Sequence, residues 1–115
     1  MYAWLLGVST ISPAELHEVM QRQPVVAIDV NASQSWHRAH VPGARHLDPY
    51  TYRDTDLPRD KHAALVFYCA NWLCRKAPMA ARRAKGMGYT NVRVLASGIS
   101  GWLDAGLPTD AGPPS

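Results

Sequence analysis

Cysteine is scarce in this chain, and charge is too. Two cysteines in 115 residues cannot build the disulfide framework of a small secreted domain, so a reducing cytoplasm is the expected compartment. No apolar run approaches the roughly 20 residues that a membrane span needs. The opening stretch, Met1 to Val8, is too short and lacks the basic start of a secretory signal. Repeats and low-complexity tracts are absent. Charged residues make up 18% of the chain against 47% hydrophobic, a balance that excludes wholesale disorder and permits a true core. The length suits one domain. A net charge of +3 leans mildly towards anionic partners.

What is present reads as alternating strands and helices. Ser12-Pro13-Ala14-Glu15 predicts a helix start: Ser12 at the N-cap, Pro13 in the first turn, and Glu15 reaching back to close a capping box. Ile11 and Leu16 stand at the hydrophobic staple positions. Val25 to Val30 is a near-continuous apolar run of the kind found in buried parallel strands. Ser33 is expected to cap a short helix running through Trp36, and Ala44 to Leu47 to form a short strand after the Val41-Pro42-Gly43 turn. Asp48 to Lys61 reads as a long surface connection. A second apolar run, Ala64 to Tyr68, stops at Cys69. Pro78 to Met87 then predicts a helix with Ala80, Ala84 and Met87 inward, Arg82, Arg83 and Lys85 outward, and Gly88 as C-cap. Val92 to Leu95 is a further strand, and Ser97 to Ala105 a last helix stopped by Gly106 and Pro108. The tail from Thr109 to Ser115 is expected to fray. The alternation argues for an α/β layer built on a parallel sheet.

Ligands of such sheets bind where strands end and helices begin. Cys69 ends the strongest buried strand, and Ala70 to Ala77 leads into the next helix. A thiolate there faces the positive end of a helix, and Arg75 and Lys76 add charge, so the ionised and reactive form is favoured. A free cysteine is more often a small buried hydrophobe. Its place before a basic loop favours a functional thiol.

These residues also carry a family pattern. From about Ile11 to Pro108 the chain resembles a single-domain rhodanese, the sulfurtransferase homology domain. The matching pieces are Ile11-Ser12-Pro13-Ala14-Glu15-Leu16, Ile28-Asp29-Val30, the turn His40-Val41-Pro42-Gly43-Ala44, the strand Val66-Phe67-Tyr68-Cys69, Gly88-Tyr89-Thr90-Asn91-Val92, and the closing run from Gly98-Ile99-Ser100-Gly101-Trp102 to Gly106-Leu107-Pro108. The resemblance implies a three-layer α/β domain around a central five-stranded, mostly parallel sheet over residues 11–108, with a lead-in at 1–10 and a flexible tail at 109–115. It implies that Cys69 accepts a sulfane sulfur from a small anionic donor such as thiosulfate. The persulfide then passes that sulfur to a thiol or cyanide, with no cofactor or metal. The loop amides of Ala70, Asn71, Trp72, Leu73, Cys74, Arg75 and Lys76 would cradle the anion.

The loop departs from the family's usual C-[RK]-x-G-x-[RST]. It has no glycine, is longer by a residue or two, and carries a second thiol. Cys74 is either a resolving thiol that closes a disulfide on Cys69 or a packing residue. Asn31 replaces the usual arginine after Asp29-Val30, and Ser97 stands at the first of two customary glycines.

Two other readings share the fold. Cys69 and Arg75 satisfy the C-x5-R spacing of phosphatases, but Trp72 and Leu73 are bulky for a phosphate cradle, and the candidate acids Asp48, Asp54 and Asp56 read as loop residues. A non-catalytic binding module is the third. Among the other constellations, five scattered histidines make no metal set with the cysteines. His40 is expected to lock its turn, and Asp29 to orient neighbouring loops. Trp36 and Trp102 read as structural, whereas Trp72 should wall the pocket. The basic residues from Arg75 to Lys85 read as a solvated helix face that draws in an anionic donor, with no nucleic acid and no membrane as partner. A monomer or weak homodimer is expected, with Tyr2 and Trp4 as the aromatics that could support a pair.

Overall fold

Along the strand from Leu65 to Cys69 the side chains alternate between two faces, and that alternation organises the molecule. The computed structural model describes residues 7–113. Leu65, Phe67 and Cys69 enter one core cluster with Ile28, Val30, Val92 and Val94, whereas Val66 and Tyr68 enter a second with Ala27, Ile11 and Leu95. Both faces of the sheet are therefore covered, as a parallel sheet requires.

The strands are β1 (Ser9–Ile11), β2 (Val26–Asp29), β3 (Arg45–His46), β4 (Leu65–Tyr68) and β5 (Val92–Leu95), in the order β1-β5-β4-β2-β3. Every pairing is parallel, with Phe67 opposite Ile28 and Val94, and Tyr68 opposite Asp29. The helices are α1 (Pro13–Arg22), α2 (Ser33–Arg38), α3 (Lys76–Gly86) and α4 (Gly98–Asp104). On one face Ala77, Ala80, Ala81 and Ala84 of α3 pack with Tyr52 and Leu57. On the other, Leu16 of α1 packs with Ile99 and Trp102 of α4 and with Val41. The three-layer α/β architecture with five strands is the expected one.

Several local expectations need correction. β1 begins at Ser9, so the sheet reaches into the stretch read as a lead-in; a three-residue edge strand is too short for the sequence to announce. Ser33 is the first residue of α2, whose N-cap is Ala32, and no side chain caps it. α3 starts at Lys76, two residues earlier than expected, because Pro78 fits inside the first turn. The connection from Asp48 to Lys61 does not merely cross the surface: Tyr52 and Leu57 are buried. The Tyr52 hydroxyl donates to the Ala80 carbonyl at 2.6 Å. Arg83 bonds the Tyr52 carbonyl and lies over its ring at 4.7 Å, so it clamps this connection rather than facing solvent.

The tail also behaves differently. Asp110 exchanges two backbone hydrogen bonds with His40, each 2.9 Å, and the Gly112 amide reaches the His37 carbonyl at 3.0 Å. Trp102 Nε1 donates to the Pro108 carbonyl at 2.7 Å. Asp110 and Gly112 thus find backbone partners on α2 and on the strand-like residue after it, which ties this part of the tail without apolar burial. Tyr2, Trp4, Pro114 and Ser115 lie outside the described residues.

Candidate active site

Three elements converge on Cys69. β4 delivers it, α3 starts seven residues later, and the first turn of α4 lies beneath the loop. The Ile99 and Ser100 amides donate to the carbonyls of Cys69 and Ala70 at 2.9 and 3.0 Å. Gly98, with φ of +66°, permits this approach. A Cβ there would stand 2.5–2.6 Å from backbone atoms of Ala70 and Cys69. The carbonyls on this side of the loop are therefore turned towards α4.

The loop is tightened by its own residues. Asn71 Oδ1 accepts the Leu73 amide at 2.9 Å, and the Asn71 carbonyl accepts the Cys74 amide at 3.2 Å. This local side-chain turn is of a kind asparagine often makes. Two of the seven amides expected to cradle an anion are thus committed within the loop. α3 begins without a side-chain cap, and Pro78 in its first turn has no N–H to give. Lys76 and Ala77 supply the amides at its positive end.

Cys69 and Cys74 are joined by a disulfide, with Cα atoms 6.3 Å apart. That separation lies within the usual bridging range. Cys69 is only 2% exposed and packs into the core beside Ala77 and Val94. The cleft at the sulfur is walled by Trp72, Cys74, Pro78, Leu95 and Ala96 and has room for about one water, near 10 Å³. Sequence reading expects an open, anion-ready sulfur; the oxidised loop is closed. Cys74 is half-buried, Arg75 is exposed, and Trp72 and Leu73 stand largely in solvent, at 53% and 76% exposure. Trp72 lines the cleft, as expected of it.

The polar groups nearby are structural in their contacts. Asp29 is fully buried at the end of β2, and its Oδ1 accepts the Asn31 amide at 2.8 Å. Its carbonyl accepts the Leu47 amide, so it does orient the adjoining loops. Burial pushes its carboxyl above the ordinary range, against the pull of the facing Tyr68 hydroxyl and the Asn31 amide. Tyr68 in turn holds the Val41 amide at 3.0 Å, and burial raises its phenol too. His40 Nδ1 meets the Trp36 carbonyl at 2.8 Å, and its ring stacks on that indole at 3.5 Å.

Two of the three candidate phosphatase acids, Asp48 and Asp56, have their carboxylates held in turns. Asp48 Oδ1 accepts the Tyr50 and Thr51 amides, the first of which does most to hold its carboxyl below the ordinary range. Asp56 Oδ2 accepts the Arg53 amide at 2.8 Å.

Comparison with known proteins fixes the family. The model of the rhodanese-like domain matches residues 12–105. The chain belongs to the rhodanese-like family. It is 30% identical over 92 residues to the thiosulfate sulfurtransferase GlpE of Ectopseudomonas mendocina, covering 80% of this chain and 82% of that protein. It is 33% identical over 106 residues to an HTH-type transcriptional regulator of Mycobacterium tuberculosis, covering 90% of this chain but 46% of the regulator. Among solved structures, the thiosulfate sulfurtransferase from Pseudomonas aeruginosa superposes with a TM-score of 0.79 at 28% identity, over 91% of this chain and 20% of that one. The chain therefore spans less than half of the regulator and most of GlpE. No helix among the described residues is long and apolar enough to cross a membrane.

The rhodanese pattern was legible at Cys69 and at the strand before it. Sequence reading missed the side chain of Asn71 as the pin of the loop, although an asparagine two residues before a chain reversal is its signal. It also missed that Gly98 is what lets α4 reach the Cys69 carbonyl.

Proposed function

We propose that this rhodanese moves a sulfane sulfur from thiosulfate or a persulfide to a thiol or cyanide through a persulfide on Cys69. The observation that carries the reading is the disulfide itself. Cys74 Sγ is bonded to Cys69 Sγ as the outer sulfur of a persulfide would be, so the loop accommodates a second sulfur there. In the reduced protein the Cys69 thiolate attacks the outer sulfur of thiosulfate. The donor's S–S bond breaks and sulfite leaves with the electron pair. The acceptor then attacks the outer sulfur and frees the Cys69 thiolate, so that one hard transfer becomes two easier ones.

Cys74 opens a branch in this cycle. Its thiolate attacks Cys69 Sγ of the persulfide, hydrosulfide departs, and the observed disulfide remains. Exposed Arg75 and half-buried Lys76 draw the anionic donor to the mouth of the loop. The cytoplasm suits this chemistry, since turnover needs the disulfide opened.

The test is thiocyanate formation from thiosulfate and cyanide by pre-reduced protein. Turnover that disappears in Cys69→Ser supports the proposal. Hydrolysis of an aryl phosphate that needs Arg75, with no thiocyanate, contradicts it in favour of the phosphatase. Neither activity leaves the binding module.

A further inference from the structure

The five exposed large hydrophobic side chains among the described residues are Tyr50, Trp72, Leu73, Met79 and Leu103, and each lies on the disulfide loop, in the helix turn after it, or in a groove that the loop or that turn also lines. Trp72 and Leu73 are on the loop. Met79 is in the first turn of α3, where its amide meets the Arg75 carbonyl. Tyr50 shares a groove of about 380 Å³ with Lys76, and Leu103 shares one of about 410 Å³ with Asn71. Apolar side chains gathered round a reactive bond, with the rest of the described surface clear of large ones, mark an interaction site.

We propose that this collar docks a protein dithiol that reduces the Cys69–Cys74 bond by attack on Cys74. The inference rests on the reading of Cys69 as the reacting sulfur and adds the partner that resets it. Cys69 is 2% exposed and its cleft has room for about one water, whereas Cys74 is a half-buried residue, so Cys74 is the more accessible of the two. A thiolate of the partner bonds to Cys74 Sγ, the Cys69–Cys74 bond breaks, and Cys69 leaves as a thiolate at the positive end of α3. The partner's second thiol, once deprotonated, attacks its own sulfur in the mixed disulfide and releases Cys74, which takes up the proton. Two electrons pass to this chain, and the partner ends as a disulfide.

A small charged thiol would leave the collar in water, whereas a protein whose thiol sits on an apolar face would cover it. Arg38 lines the Leu103 groove, and Arg75 and Lys76 stand on the loop, with Asp48 the carboxylate of the Tyr50 groove. The partner's apolar face should therefore be edged by carboxylates.

The experiment uses the oxidised full chain, with no sulfur donor present. Reduced thioredoxin, dithiothreitol and glutathione serve as probes at matched thiolate concentration, and freed thiols are alkylated and weighed by intact mass. Thioredoxin should act at least about a hundredfold faster than glutathione, and the Met79→Ser/Leu103→Ser double variant should slow thioredoxin about tenfold, the loss typical of interface anchors. Neither residue lines the sulfur cleft, so the dithiothreitol rate should hold. Thioredoxin no faster than glutathione, or an equal slowing with both dithiols, overturns the docking surface. Thioredoxin lacking its second active-site cysteine should become trapped on Cys74; a bond to Cys69 overturns the point of attack. Because no donor is present, failure of sulfur transfer and failure of this inference are read separately.

Discussion

Helices α1 and α3 begin in opposite ways. At α1 the Ser12 side chain accepts the Glu15 amide and Glu15 accepts the Ser12 amide, both at 3.1 Å, with Pro13 filling the first position. Ile11 and Leu16 are buried against the sheet below. At α3 no side chain caps the start, and the disulfide loop runs straight into it. α4 shows a third use, with its first amides holding the carbonyls of Cys69 and Ala70. The α1 start is closed by its own side chains, whereas α2, like α3, has no side-chain cap. The start beside the sulfur is left without a cap, so its positive end faces the loop.

The largest effect is expected at Cys69 itself. Cys69→Ser should lower thiosulfate-to-cyanide turnover at least about a thousandfold, as removal of a nucleophile does. The fold should survive, since the change is small and the disulfide closes only a short loop.

Gly98→Ala should follow. Its Cβ would collide with the backbone of Cys69 and Ala70 at a positive φ. A cost of roughly 2–4 kcal/mol in urea unfolding is expected from strain and overpacking, together with loss of turnover as the loop shifts. A variant of full stability and activity would mean that α4 does not hold the loop.

Ser12→Ala tests the other end of the comparison. It should cost about 1 kcal/mol of stability and leave turnover unchanged. An activity loss without a stability loss would blur the division between the two helix starts.

The smallest expected change is one of slope, from two carboxyls in the same two regions. Glu15 is held below its ordinary value by the Ser12 amide, so its contribution is present above the unfolded pKa and is lost as pH falls. Asp29 is raised by burial, so the folded state binds its proton more tightly than the unfolded state does. Its contribution is greatest below the ordinary value of 3.8 and is lost as pH rises from there through the folded pKa. Asn at position 29 still offers an oxygen to the Asn31 amide and cannot ionise. Relative to the wild type, Asp29→Asn should therefore gain stability as pH rises through that window, followed by urea unfolding at several pH values. A parallel pair of curves would show that burial of Asp29 does not perturb its proton.

These two regions also differ in how far the sequence disclosed them. The α1 corner is written in local chemistry, so Ser12, Pro13, Glu15 and the Ile11–Leu16 pair could be read directly. The β4 strand was equally plain, because a run buried on both faces has few alternatives to being apolar. The closed loop was less legible. Its shape depends on Asn71 reaching two residues ahead and on Gly98 arriving from a helix almost 30 residues away in the chain. The tie at Asp110 was out of view for a related reason: it consists of backbone bonds to His40, and backbone groups leave no mark in composition. The mouth of the site, with Trp72 and Leu73 exposed, follows from contacts across the fold rather than from neighbours along it.

The most direct measurement is the intact mass of pre-reduced Cys74→Ser protein after incubation with thiosulfate. A gain of one sulfur atom is expected, located on the peptide that contains Cys69 and removed by cyanide. An unchanged mass, or sulfur carried equally well when Cys69 is also replaced by serine, would contradict it.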